Sequence, residues 1–264
     1  METPPLFDSH LHLTSARFDE DRRETLDRAR DAGVIELVTV ATDPEDARRA
    51  IRLAEAEDGV WATAGLHPHE AADFSEDVLR EIEELADSET VVALGETGLD
   101  YHYDHAPRDM QLANFRAHME LGERTGLPVI VHSRKADADT AEIVAEFEGR
   151  ATGVLHCFTA GEELLQVGLD AGWLVSFSGI VSFASELAPL VRAVPDERLL
   201  IETDSPYLAP VPKRGRRNEP AYVAHTCEAV ARLREASVDD TARLTTANAR
   251  RFYGVQRDPD WSDR

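Results

Sequence analysis

The chain is poor in cysteine, in lysine and in long apolar runs, and each shortage removes a class of explanation. Its two cysteines, Cys157 and Cys227, lie far apart and outside any Cys-x-x-Cys spacing, which argues against a disulfide framework and against a zinc–thiolate centre. The longest uncharged stretch, residues 171–185, is shorter than the roughly 18 apolar residues a membrane span needs, and glycine and serine interrupt it. No basic segment followed by an apolar run opens the sequence: Met1-Glu2-Thr3-Pro4-Pro5 leads directly into a strand-like stretch. The expected compartment is therefore the cytoplasm, with no membrane association and no obligate protein partner. Lys135 and Lys213 are the only lysines among 28 basic residues, the rest being arginine.

Carboxylates are in excess. Asp and Glu number 51, giving a formal net charge of −23 at pH 7. Such a surface repels itself in dilute buffer and is tolerated where molar salt shortens the Debye length to about 3 Å. Together with the scarcity of lysine, this points to a salt-rich, halophilic cytoplasm. A hydrophobic fraction of 42% beside 30% charged residues describes a packed domain and not a disordered chain. The length of 264 residues fits one α/β domain spanning 1–264.

Apolar and β-branched runs at residues 6–10, 35–41, 60–65, 91–95, 128–132, 154–156, 174–178 and 199–202 read as strands buried on both faces. Helical periodicity fills the intervals at about 18–32, 44–58, 75–87, 108–126, 136–148, 161–172 and 183–194. Gly33 closes the first helix as a C-cap, and Thr42-Asp43-Pro44-Glu45 opens the second with an N-cap and an early proline. Two more helices, near 219–236 and 238–252, follow a basic loop. Eight strand signals alternating with helices predict an α/β fold, a (β/α)8 TIM-like barrel with extra C-terminal helices. A doubly wound open sheet is the rival, and the position of the polar residues separates the two.

Those residues fall at strand ends, where barrel enzymes carry their chemistry. Asp8-Ser9-His10-Leu11-His12 closes the first strand; alternation would put Asp8, His10 and His12 on one face. Two imidazoles at that spacing can chelate a divalent ion, although a lone His-x-His is better explained by surface histidines. Glu96 ends the fourth strand, His132 the fifth and His156 the sixth, and Asp204 follows the eighth. Separate elements bringing four imidazoles and two carboxylates to one rim have no ordinary structural purpose, since burying unpaired charge is costly. A His and carboxylate set without cysteine suits two divalent ions, Mg2+, Mn2+ or Zn2+. Glu96 is placed to bridge ions about 3.5–4 Å apart, a water activated between them is the nucleophile, and Asp204 is the general base.

The motifs Asp8-Ser9-His10-Leu11-His12, Gly65-Leu66-His67-Pro68-His69, Gly95-Glu96-Thr97-Gly98-Leu99-Asp100-Tyr101, His132-Ser133-Arg134, His156-Cys157-Phe158 and Glu202-Thr203-Asp204-Ser205-Pro206-Tyr207-Leu208 resemble, in order, the signatures of the TatD family of metal-dependent deoxyribonucleases. That family belongs to the amidohydrolase-like TIM barrels. The resemblance runs from residue 6 to about 254, and Asn218-Glu219-Pro220 also fits; Thr97 stands where the family usually has an aliphatic residue. It implies that His10 and His12 bind one metal, His132 and His156 the other, that Glu96 bridges, and that Asp204 completes the first site. It also implies hydrolysis of DNA phosphodiesters, often as a 3′ to 5′ exonuclease on single strands or 3′ ends.

Around this set, His67 and Arg134 are expected to hold the scissile phosphate, arginine matching phosphate oxygens bidentately. Asp8 is read as a partner that orients a ligand histidine from behind. Arg216 and Arg217, in Lys213-Arg214-Gly215-Arg216-Arg217, are read as backbone contacts because their sign opposes that of the chain. Tyr101, Tyr103 and Phe158 can stack on bases or pack in loops, while His69, His102, His105, His118 and His225 read as structural or surface residues. The rival functions are an aminoacyl-tRNA deacylase, an amidohydrolase on a small substrate and a metal-loaded binding module without turnover; the presence of Asp204 as a base argues against the last. A bridging Glu96, where many amidohydrolases use a modified lysine, favours the nuclease.

Overall fold

In the computed structural model, which describes residues 4–255, the apolar runs become strands because both of their faces are covered. The strands are β1 (Leu6–Leu11), β2 (Val34–Thr39), β3 (Val60–Ala64), β4 (Val91–Asp100), β5 (Val129–Arg134), β6 (Gly153–Leu155), β7 (Leu174–Phe177) and β8 (Leu199–Ile201). They pair in parallel in chain order. Between them run α1 (Arg22–Asp31), α2 (Pro44–Ala56), α3 (Glu76–Ala86), α4 (Arg108–Thr125), α5 (Asp137–Glu146), α6 (Glu162–Asp170) and α7 (Ala188–Ala193), with α8 (Val223–Arg234) and α9 (Val238–Tyr253) after β8. The circle closes just beyond β8, where Asp204 N–H donates to His10 O (2.9 Å) and His12 N–H to Ser205 O (2.7 Å). This is the expected TIM barrel with additional C-terminal helices. Residues 1–3 and 256–264 of the expected domain lie outside the described residues.

Two apolar layers hold the barrel. Phe7, Val38, Val92, Ile130, Val154, Leu174 and Leu200 form a cluster that α9 joins through Ala249 and Tyr253. The Tyr253 ring stacks on Phe7 at 5.9 Å, and its hydroxyl donates to Ser9 O (2.8 Å). A second, larger cluster, including Leu94, Phe115, Met119, Ile143 and Leu165, packs the helices against the sheet. Among the described residues no helix is long and apolar enough to cross a membrane.

Three elements depart from the expected limits. β4 continues through Gly95 to Asp100, because its glycine serves a close approach and not a turn: a Cβ on Gly65 would lie 2.4 Å from Gly95 Cα. α7 is only Ala188–Ala193, preceded by 3-10 turns, since Pro189 lacks an N–H and suits only a first turn. α1 begins at Arg22, and Ala16–Phe18 forms a separate 3-10 turn.

Both strands that open the site carry one extra residue there. Between Asp8 and Leu11, β1 advances three residues against two in β2; between Leu94 and Thr97, β4 does the same against β5. Such bulges re-aim side chains. The one in β1 interrupts the two-residue alternation that would have kept Asp8 in step with His10 and His12.

Candidate metal centre

Glu96 stands at the middle of the mouth, fully buried, and its two carboxylate oxygens face different groups. Oε2 lies 3.4 Å from His10 Nε2 and 3.6 Å from His12 Nε2. Those two nitrogens are 3.4 Å apart and lie 3.8 and 3.5 Å from Asp204 Oδ1. Ligand atoms set tetrahedrally at zinc bond lengths of 2.0–2.1 Å are about 3.3 Å apart, so these four atoms have the spacing of a cation's shell. Glu96 Oε1 lies 2.7 Å from His156 Nε2, 2.9 Å from His132 Nδ1 and 3.5 Å from His67 Nε2. The six residues expected as ligands from the sequence are thus brought together.

The far nitrogens of the rings show which face is free to bind. His12 Nδ1 is 3.0 Å from Val40 O, a carbonyl that can only accept, so the Nε2 lone pair points into the site. His132 Nε2 is 3.1 Å from Asp100 Oδ2, and His156 Nδ1 is 3.3 Å from Glu202 Oε1. A ring hydrogen-bonded on one side presents a fixed lone pair on the other, as in carboxylate–histidine–metal arrangements. Glu96 Oε2 is buried without a hydrogen-bond donor although two imidazoles face it. That environment suits a cation.

The charges agree. Burial would raise the Glu96 carboxyl, but the charges of His156, His67 and His10 outweigh it and hold it well below the usual range. His156 would be lowered by burial, and Glu96 and Glu202 hold it well above its ordinary value. Burial works against His12 as well, yet its hydrogen bond to Asp204 and the charge of Glu96 raise it to about 9. Asp204, which burial would raise, is held low by the His12 hydrogen bond and the charges of His10 and His12. The carboxylates are therefore ionised, and His12, His132 and His156 favour protons that an incoming cation would displace, while burial pushes His10 down towards the neutral ring.

His67 also lies within reach of a cation beside Glu96 and His132, but differs from the other candidate ligands. Its Nδ1 accepts the His69 N–H (3.0 Å), so its Nε2 carries the hydrogen, and burial lowers its pKa to about 4. It presents a neutral N–H donor to the cavity. Asp8 reaches the Thr203 N–H (2.9 Å), the Thr203 hydroxyl (2.6 Å) and, at 3.5 Å, the main-chain N–H of His10, but no ligand ring. Burial raises it to about 8, which leaves it protonated at neutral pH.

A cavity of about 520 Å³ opens above the cluster, lined also by Thr42, His69, Tyr103, Arg134, Cys157 and Tyr207. Arg134 ends β5 at the cavity edge with its guanidinium 5.5 Å from the Tyr103 ring. The basic loop sends neither Arg216 nor Arg217 into the cavity. Arg217 forms a two-pronged pair with Asp21 (2.6 and 2.7 Å) and sits over Phe18, while Arg216 is exposed and does not line the cavity. Phe158 is buried against Phe177, and the Tyr101 hydroxyl donates to Asp139, so neither ring faces the site.

Four residues around the ligands escaped the sequence reading. Asp100 accepts the N–H groups of His102 and Tyr103 on Oδ1 (both 2.9 Å) and meets His132 and His69 on Oδ2. Glu202 stands behind His156 and accepts the Cys157 N–H (2.8 Å). His69 lines the cavity 2.9 Å from Asp100, and Tyr207 lies edge-on to His12. Asp100 and Glu202 sit within the quoted motifs, yet nothing local marks what they touch. Asn218 donates to Thr203 O and Tyr207 O, clamping the segment that carries Asp204.

A family model described as TatD related DNase matches residues 7–254. A Bacillus subtilis protein called an uncharacterized metal-dependent hydrolase, YabD, is 40% identical over 253 residues, covering 95% of this chain and 99% of that one. The 3′-5′ ssDNA/RNA exonuclease TatD of Pantoea ananatis is 37% identical over 259 residues, with 95% and 100% covered. The crystal structure of the Escherichia coli K12 TatD homologue YJJV superposes with a TM-score of 0.89 at 26% identity, covering 95% and 98%.

Proposed function

This chain belongs to the TatD related DNase family and is a metal-dependent hydrolase, and from that premise we propose that it cleaves DNA phosphodiesters from 3′ ends, using two divalent ions. The observation that carries this reading is the division of Glu96, whose Oε2 faces His10 and His12 while Oε1 faces His132 and His156. One ion at His10, His12 and Asp204 would engage Oε2 alone, while Oε1 has a separate set of imidazoles that can hold a second. The name of the Pantoea ananatis relative, a single-strand exonuclease, supports the choice of substrate.

His10, His12 and Asp204 would hold one ion and His132 and His156 the other, with Glu96 between them. Bound there, Mg2+, Mn2+ or Zn2+ supplies Lewis acidity that acidifies water and polarises a phosphoryl oxygen. The chain's own residues do the rest. His67 donates its Nε2–H to a phosphate oxygen, and Arg134 at the cavity edge meets the strand's phosphates. Asp204, ionised beside His12, takes the proton of the attacking water. Arg217 is paired with Asp21 and Arg216 lies outside the cavity lining, so the phosphate contacts within the cavity fall to His67 and Arg134. The net charge of −23 supports a salt-rich cytoplasm as the working medium.

End-labelled single-stranded DNA, digested in molar KCl with each metal in turn, tests the proposal. The parent should shorten the 3′ end while Asp204→Asn, with its metal content intact, loses roughly 10²–10⁴-fold in rate. Undiminished cleavage by the variant removes Asp204 from its role. A metal-loaded parent that spares DNA but hydrolyses aminoacyl esters or small cyclic amides transfers the function to those bonds.

A further inference from the structure

Among the described residues, five large apolar side chains are more than a third exposed: Tyr103 (54%), Tyr207 (50%), Val211 (48%), Val238 (44%) and Phe183 (39%). Four of them gather at one place. Tyr103 and Tyr207 line the cavity itself. Phe183 ends the turn Gly179–Ser182, whose Ile180 also lines the cavity, and the Val211 N–H donates to Ser182 Oγ in that turn (2.9 Å). A soluble surface rarely concentrates apolar groups without a binding role.

Three of these rings carry an arginine. The Arg134 guanidinium is 5.5 Å from the Tyr103 ring, Arg17 is 5.8 Å from Tyr207, and Arg214 lies 3.8 Å over Phe183. In a chain of net charge −23, cations paired with exposed rings at one mouth oppose the general sign of the surface. Ring faces beside guanidinium groups are what an unpaired nucleic-acid strand requires: bases stack on the rings while phosphates meet the cations. A duplex has its base faces already covered, so the same rings would find nothing to stack on.

We propose that this rim binds an unpaired nucleic-acid strand, with Tyr207 and Tyr103 stacking on bases at the metal centre and the Phe183–Arg214 pair stacking on a base further along. The inference rests on the nuclease reading and deepens it. It assigns the choice of single strands to stacking and not to the metal centre, which sees only a phosphodiester.

Binding is measured by fluorescence anisotropy with deoxythymidine oligonucleotides capped by phosphorothioates against turnover, and with abasic strands of the same length. Phosphates are common to both, so the ratio of the two Kd values reports the bases alone. The parent should prefer the base-bearing strand, and Tyr207→Ala should shrink that preference roughly 5- to 100-fold, while Tyr207→Phe retains it. Phe183→Ala and Arg214→Ala should weaken longer strands more than a dinucleotide. Equal affinity of the parent for base-bearing and abasic strands, a preference unchanged in Tyr207→Ala and Phe183→Ala, or a duplex bound as tightly as the strand overturns the rim. Cleavage of uncapped strands run alongside separates the two levels. If the parent cleaves DNA but ignores the bases, the rim alone fails; if it neither binds nor cleaves DNA, the nuclease reading fails and the rim with it.

Discussion

Replacing Asp100 with asparagine tests how the centre is held, because the substitution keeps the shape of the side chain and changes only what it offers. The amide oxygen can still accept from the N–H groups of His102 and Tyr103, so the loop that carries Tyr103 stays anchored. The amide nitrogen, however, now faces His132 Nε2 and His69 Nε2 with donors in place of the acceptor at 3.1 and 2.9 Å. His132 must then accept on Nε2, which puts its hydrogen on Nδ1, the atom 2.9 Å from Glu96 Oε1 that would bind the second ion. A protonated nitrogen has no lone pair for a metal. Losing such an outer partner typically weakens a metal site 10- to 100-fold, equivalent to about 1.4–2.7 kcal/mol. An ion at the proposed His10, His12 and Asp204 site should keep its affinity. Calorimetric titration together with metal analysis after dialysis should show two ions on the parent and one retained on Asp100→Asn, with the circular dichroism spectrum unchanged. Retention of both ions at the parent's affinity would refute the orienting role of Asp100.

Other outcomes follow from the same geometry. His12, raised to about 9, stabilises the metal-free fold fully below its unfolded value near 6.5 and loses that contribution as pH rises through about 9. Metal binding needs the neutral ring, so affinity should rise over that interval and calorimetry in buffers of different ionisation enthalpy should detect released protons; a pH-independent affinity contradicts this. The melting temperature should climb between dilute buffer and molar KCl as 51 carboxylates are screened, and a flat response would remove the halophilic reading. Gly65→Ala should lower stability by about 1–3 kcal/mol or more in denaturant titration, since its methyl would sit 2.4 Å from Gly95 Cα; an unchanged midpoint would mean that β3 and β4 part easily.

The sequence by itself determined the barrel and the set of side chains that gathers at its mouth. Eight apolar runs separated by helical periods leave few architectures open, because strand and helix patterns are local and follow from side-chain spacing. His10, His12, Glu96, His132, His156 and Asp204 were legible because a polar group ending an apolar strand stands out against its neighbours, and a parallel barrel brings all such ends to one face.

Only the tertiary structure decided what those groups touch. The bulges in β1 and β4 depend on register with the adjacent strands, and the one in β1 takes Asp8 out of step with the histidines, where it meets Thr203. Whether Arg217 meets a phosphate or a carboxylate depends on Asp21, 196 residues away, and that pairing takes it out of the cavity. Asp100 and Glu202 read as ordinary acids until the barrel closes and sets them behind His132 and His156. Pattern reports which face a residue prefers; partners distant in sequence become neighbours only once the chain has packed.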